Sequence, residues 1–170
     1  MKLNIGFQMD PMETIDTIGD STFSIMLECY RRGHKIWHFL PSDLTFKNND
    51  LFAKTTELFK IQDKERNYYK VKKENILNLS SLDILFLRQD PPFNMSYITS
   101  TYLLESIEKK VNIINRPSEV RNAPEKLFLN KWPDIIPKTI ISRDKSELYS
   151  FREKTKDIIL KPLYGNGGQG

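Results

Sequence analysis

The first forty or so residues constrain the fold more than any other stretch of this chain. Leu3, Ile5, Phe7 and Met9 alternate with Lys2, Asn4, Gln8 and Asp10, the period-two pattern of a β-strand, and Asp10-Pro11 ends it. After a loop containing Gly19, Asp20 and Ser21 stand where a helix cap belongs, and Phe23, Met26, Leu27 and Tyr30 keep the i, i+3, i+4, i+7 spacing of a helix. Arg31 and Arg32 suit its C-terminal end and Gly33 its stop. Ile36, Trp37, Phe39 and Leu40 then supply a second strand. With strand, helix and strand so close together, a parallel crossover is the economical topology, and an α/β fold opening on a βαβ unit is expected.

Residues 42 to 80 are harder to read, since Phe52, Leu58, Phe59, Tyr68 and Tyr69 hold no single period; irregular strands or a hairpin insertion are expected there. Residues 82–87 form a short apolar run that reads as a strand buried on both faces, ending at Arg88-Gln89-Asp90-Pro91-Pro92-Phe93. A helix is expected from 96 to about 110, with Tyr97, Thr101, Leu104 and Ile107 on its inner side, and then a strand over 111–114 that ends at Asn115-Arg116-Pro117. From Asn122 the texture changes. Pro124 suits the first turn of a short helix carrying Lys126, Leu127 and Phe128, so the domain boundary is placed near 122, giving segments 1–122 and 123–170. Residues 139–142 and 158–161 read as strands, and Asp144 to Glu147 as a capping box opening a helix to about 154.

Composition excludes several classes of function. Hydrophobic residues at 39% against 28% charged describe a chain with a real core, and disorder is excluded for the whole. Lys and Arg number 26 against 22 Asp and Glu, but Lys54, Lys60, Lys64 and Lys70 interleave with Glu57, Asp63 and Glu65, so the surplus forms no basic stripe and no nucleic-acid partner is expected. The longest apolar run, Ile84 to Leu87, falls far short of the roughly 20 residues that span a bilayer, so no membrane is expected either. The first residues enter a strand with no secretory pattern, and Cys29 is the single cysteine; both point to the cytoplasm. Cys29 adjoins the apolar face of its helix and reads as a packing thiol, while His34 and His38 lack a metal-ligand spacing.

Four of the seven glycines lie in the last six residues, Gly165 to Gly170. Such a cluster lets successive backbone N–H groups converge on phosphate oxygens, although no Gly-Lys-Ser/Thr follows as in a Walker A loop. A flexible tail is the alternative for the glycines alone.

Taken together, Met9-Asp10-Pro11, the 88–93 segment, Asn115-Arg116-Pro117, Glu125-Lys126-Leu127-Phe128 and the 159–168 segment from Ile159-Leu160-Lys161-Pro162 to Gly168 resemble the bacterial glutathione synthetases, which are ATP-grasp ligases. The resemblance runs from the first strand to the last residue. It implies an N-terminal Rossmann-like (pre-ATP-grasp) parallel-sheet domain followed by the beginning of an ATP-grasp domain. It also implies ATP-dependent joining of γ-glutamylcysteine to glycine through an acyl phosphate, with Mg2+. By the same resemblance Lys126 and Lys161 should pair with ATP phosphates, and Gly165, Gly167 and Gly168 should form the loop over the triphosphate, with Gln169 departing from the small residue usual after the paired glycines.

Arg88 follows a buried strand and precedes a Pro-Pro turn, a placement suited to gripping a substrate carboxylate; a salt bridge to Asp90 is the alternative. Asp10, Asp20, Ser21, Asp90, Asn115 and Arg116 stand at strand ends or a helix start on the same expected rim and are candidates for the γ-glutamyl head group, with helix capping the leading alternative for Asp20 and Ser21. Gln89 stands where relatives often carry a basic residue. Magnesium ligands are expected beyond residue 170, none within this chain, and relatives are commonly homo-oligomers. Because the second segment is too small for a self-sufficient core, the chain is read as a fragment that forms no glutathione by itself. Another ATP-grasp carboxylate-amine ligase and a noncatalytic ligand-binding or subunit-pairing module are the two rival readings.

Overall fold

The computed structural model describes residues 1–64 and 66–163, without the side chain of residue 125. It divides the chain into two compact units, Met1–Arg121 and Asn122–Gly170.

The first unit is an α/β structure built on a seven-stranded sheet. Strand β1 (Asn4–Gln8) is followed by helix α1 (Ser21–Arg31) and strand β2 (Lys35–Phe39), and β1 and β2 pair in parallel with Ile5 opposite Ile36. Strand β6 (Ile84–Leu87) lies on the other side of β1, also parallel, with Phe7 opposite Phe86, and β7 (Asn112–Ile114) continues the parallel set. Three antiparallel strands extend the β2 side: β3 (Leu44–Lys47), β4 (Asp50–Phe59) and β5 (Lys70–Asn78). The stretch that kept no clear period is therefore a meander. Its first turn, Asn48-Asn49, has φ of 53° and 62° at both positions, the left-handed pair that a two-residue hairpin requires and that asparagine tolerates.

Each face of the sheet carries its own core. Ile5, Phe7 and Ile36 meet Phe23, Met26 and Leu27 of α1 on one face, while Leu85 and Leu87 meet Leu104, Ile107 and Ile113 on the other. Because β1 lies between β2 and β6 and is covered on both sides, its polar Gln8 is interior as well and fully buried. Gly6 faces Leu82, and a Cβ there would come within 2.6 Å of Leu82 Cδ1.

Helix α2 (Met95–Glu105) is capped by Asn94, whose side chain accepts the Tyr97 N–H. It stops earlier than the periodicity predicts. The N–H groups of Ser106, Ile107 and Glu108 reach back only three residues, so the last turn tightens, yet Ile107 stays buried. Helix α3 (Pro117–Asn122) follows β7, and Arg121 spans to Thr101 and Glu105 of α2 while lying 3.9 Å from the centre of the Tyr102 ring.

The second unit contains α4 (Glu125–Phe128), two single 3-10 turns and α5 (Lys145–Thr155). Asp144 caps α5 by accepting from the N–H and O–H of Ser146. The strands predicted over 139–142 and 158–161 are absent among the described residues: neither segment joins a ladder, and Ile141, Ile159 and Leu160 are exposed. Their apolar β-branched sequence supplies strand propensity, but a strand also needs a neighbouring backbone to pair with.

Candidate functional site

In the first unit, polar side chains gather where β1 and β6 end and α1 begins, the place where a parallel α/β sheet leaves a crevice. Arg88 is the first residue after β6, and its N–H continues the ladder to the Gln8 carbonyl at 2.8 Å. Its guanidinium crosses to the start of α1: Nε donates to Thr22 Oγ1 at 3.0 Å and Nη2 to Ser21 Oγ at 2.7 Å. No carboxylate pairs with it among the described residues, so the Arg88–Asp90 salt bridge is not formed. Two neutral hydroxyls orient the fork without cancelling its charge.

Three carboxylates share this end of the sheet, with Asp90 within electrostatic reach of Arg88, Asp10 and Asp20. Asp20 is the N-cap of α1 and accepts the Phe23 N–H at 2.7 Å, while Asp10 accepts the Asp90 N–H at 2.8 Å. Burial raises the Asp90 carboxyl above its ordinary range, Asp10 and Asp20 raise it further, and Arg88 opposes them. Asp10, Asp20, Ser21, Arg88 and Asp90 thus lie within electrostatic reach of one another. Asn115 and Arg116 follow β7 and stand outside this group: Arg116 pairs with Glu108 at 3.5 Å, and Asn115 is exposed.

Sequence reasoning missed the residues that hold the cluster in place. Thr22 shares the Arg88 fork with Ser21, and its position beside a predicted cap was the available signal. Gln89 turns inward: its side chain meets Gln8 Nε2 and Ser100 Oγ, each at 3.4 Å, and its carbonyl accepts Tyr97 Oη–H at 3.2 Å. Nothing in the sequence marked Gln8, because a polar residue in an alternating strand reads as solvent-facing.

In the second unit, Lys126 and Lys161 line one cavity of about 1280 Å3. Lys126 Nζ also donates to the Pro162 carbonyl at 2.5 Å. Lys138, Arg143 and Lys154 line the same cavity, with Asp157 the sole acid among its described lining residues; apolar walls come from Ile136, Ile140 and Phe151. Five cations against one carboxylate make the cavity electropositive. Gly165, Gly167 and Gly168, assigned to a phosphate loop, lie outside the described residues, as does Gln169.

Residues 3–121 match the family described as "Prokaryotic glutathione synthetase, N-terminal domain", and residues 125–170 match "Prokaryotic glutathione synthetase, ATP-grasp domain". The chain belongs to the prokaryotic glutathione synthetase family. It is 43% identical over 170 residues to the glutathione synthetase of Mesorhizobium japonicum, covering 100% of this chain and 54% of that one. It is 45% identical over 167 residues to the glutathione synthetase of Agrobacterium fabrum, covering 98% and 52%. A more distant relative, the glutathione synthetase of Buchnera aphidicola from Acyrthosiphon pisum, is 40% identical over 169 residues, covering 99% and 52%. The chain therefore spans about half the length of the curated relatives it matches. No described helix of this family member is long and apolar enough to cross a membrane.

Proposed function

We propose that the protein serves the ATP-dependent joining of γ-glutamylcysteine to glycine, with residues 1–122 as the dipeptide-binding domain and 123–170 as the start of the ATP-grasp domain. The observation that carries this reading is Arg88, a guanidinium aimed by hydroxyls and ion-paired to no carboxylate among the described residues, within electrostatic reach of Asp90. That arrangement suits a zwitterionic α-amino acid head: its carboxylate takes the free side of the fork, and its ammonium offsets the negative charge of Asp10, Asp20 and Asp90. The γ-glutamyl end of the dipeptide carries such a head. Asn115 and Arg116 are proposed to reach the dipeptide further along the rim.

In the proposed reaction the γ-phosphorus–oxygen bond of ATP breaks as a cysteinyl carboxylate oxygen bonds to phosphorus. Glycine's amine then attacks the acyl carbon, loses a proton and displaces phosphate, leaving glutathione and ADP. Transfer of this kind depends on neutralising phosphate charge, the role assigned to Lys126 and Lys161 in the electropositive cavity and to Gly165, Gly167 and Gly168 through their N–H groups. Among the described residues no group of three His, Cys, Asp or Glu side chains is arranged to hold a metal ion. Mg2+ is proposed from the family alone, and no step is written through it.

A ligand panel followed on the Arg88 Nε–H resonance tests the reading. γ-Glutamylcysteine should shift and saturate it, whereas D-alanine and N-acetylcysteine controls should not. A response to D-alanine equal to that of the dipeptide would move the protein to another ATP-grasp ligase class.

A further inference from the structure

The first unit has a second concavity, of about 290 Å3, where the C-terminal end of β2 meets β4 and β5. Its charge is opposite to that of the second unit's cavity. Glu13, Asp43 and Glu74 line it against one cation, Lys54, which already lies 3.7 Å from Glu74. Those two offset each other. Glu13 and Asp43 remain, and their hydrogen-bond partners among the described residues are neutral donors: Tyr69 Oη–H to Glu13 at 2.8 Å and the Leu40 N–H to Asp43 at 2.8 Å. Hydrogen bonds from the backbone and Tyr69 hold Glu13 below the usual carboxylate range, so it is ionised at neutral pH.

His38 adds a third acceptor. Its Nε2 lies 3.0 Å from the Asp10 carbonyl oxygen, which can only accept, so the proton sits on Nε2. Burial pushes the ring's pKa down and keeps it neutral, which leaves Nδ1 a lone pair with no protein partner among the described residues. The rest of the wall is apolar, from Phe39, Leu40, Leu58 and Val71, apart from Thr56. Beyond the Lys54–Glu74 pair and the Thr56 hydroxyl, the polar capacity of the lining is acceptor, above an apolar floor.

We propose that this cavity is a binding site for a small primary ammonium compound with a short apolar body, separate from the Arg88 cluster. An ammonium offers three donors and no acceptor, the complement of Glu13, Asp43 and the imidazole lone pair, and its alkyl portion can cover the apolar floor. At about 30 Å3 per water-sized group, the volume admits about ten non-hydrogen atoms. A carboxylate or phosphate ligand of the same size would meet two uncompensated like charges. The inference stands on its own observations and not on the proposed ligase reaction.

The test is a titration of the 170-residue chain with n-hexylamine at pH 7, read on the His38 ring resonances, with hexanoate and hexanol as controls. Hexylammonium should saturate the shift in the millimolar range. Glu13→Gln should weaken it about fivefold or more, and Lys54→Ala, at an exposed residue whose loss leaves the fold intact, should tighten it. Arg88→Ala should leave it unchanged. Equal binding of hexanoate or hexanol, a shift that never saturates, or weaker binding in Lys54→Ala would overturn the proposal.

Discussion

Arg88 owes its orientation to two hydroxyls, and replacing it separates charge from geometry. Arg88→Lys keeps the charge but cannot serve Thr22, Ser21 and a substrate carboxylate together, so dipeptide affinity should fall about tenfold, or about 1.4 kcal/mol. Titration of the variant with γ-glutamylcysteine measures it, and unchanged affinity would remove the fork from the account. Asp90 gives a pH prediction. Its carboxyl is raised in the folded chain, so the fold binds more protons than the unfolded chain, and this group's contribution falls as pH rises through its folded value. Asp90→Asn should raise the melting temperature at pH 7 and leave it unchanged at pH 3. His38 acts in the opposite direction. Depressed by burial, it costs stability as pH falls from about 6.5 through its lowered value, and His38→Phe should flatten that part of the stability profile.

Among the elements, β1 places the cluster, and its glycine is the test of how tightly. A methyl at Gly6 would press on buried Leu82, which sits between the sheet and the α2 layer. Gly6→Ala should cost about 1–3 kcal/mol in chemical denaturation, and trimming the neighbour in Gly6→Ala/Leu82→Val should recover part of it; additive losses would refute the close approach. Elements with a local cause were legible in the sequence: α1 from its Asp20 cap and apolar stripe, β6 from its apolar run, and α5 from Asp144. What depended on a distant partner was not. The burial of Gln8 follows from covering on both faces, the early end of α2 from the turn into β7, and the unpaired 139–142 and 158–161 segments from the absence of a described neighbour. At the candidate site the same division holds. Arg88 and Asp90 were readable from their place after a strand, whereas Thr22 and Gln89 gained their roles from chain more than ten residues away.

Across the whole molecule, charge is sorted by unit: carboxylates gather around Arg88 and in the β2–β4 cavity of the first, and cations line the cavity of the second. Lys161 is exposed, so Lys161→Ala should weaken nucleotide binding by about tenfold rather than abolish it, as a fluorescent ATP analogue would report. The reading as a whole rests on the first unit gripping a γ-glutamyl head through a guanidinium held by hydroxyls rather than by an ion pair. Calorimetric titration of γ-glutamylcysteine into the 170-residue chain, with and without Arg88→Ala, addresses this most directly. The account predicts saturable binding that weakens about 30-fold or more in the variant, corresponding to about 2 kcal/mol. Equal affinity in the two proteins would contradict it.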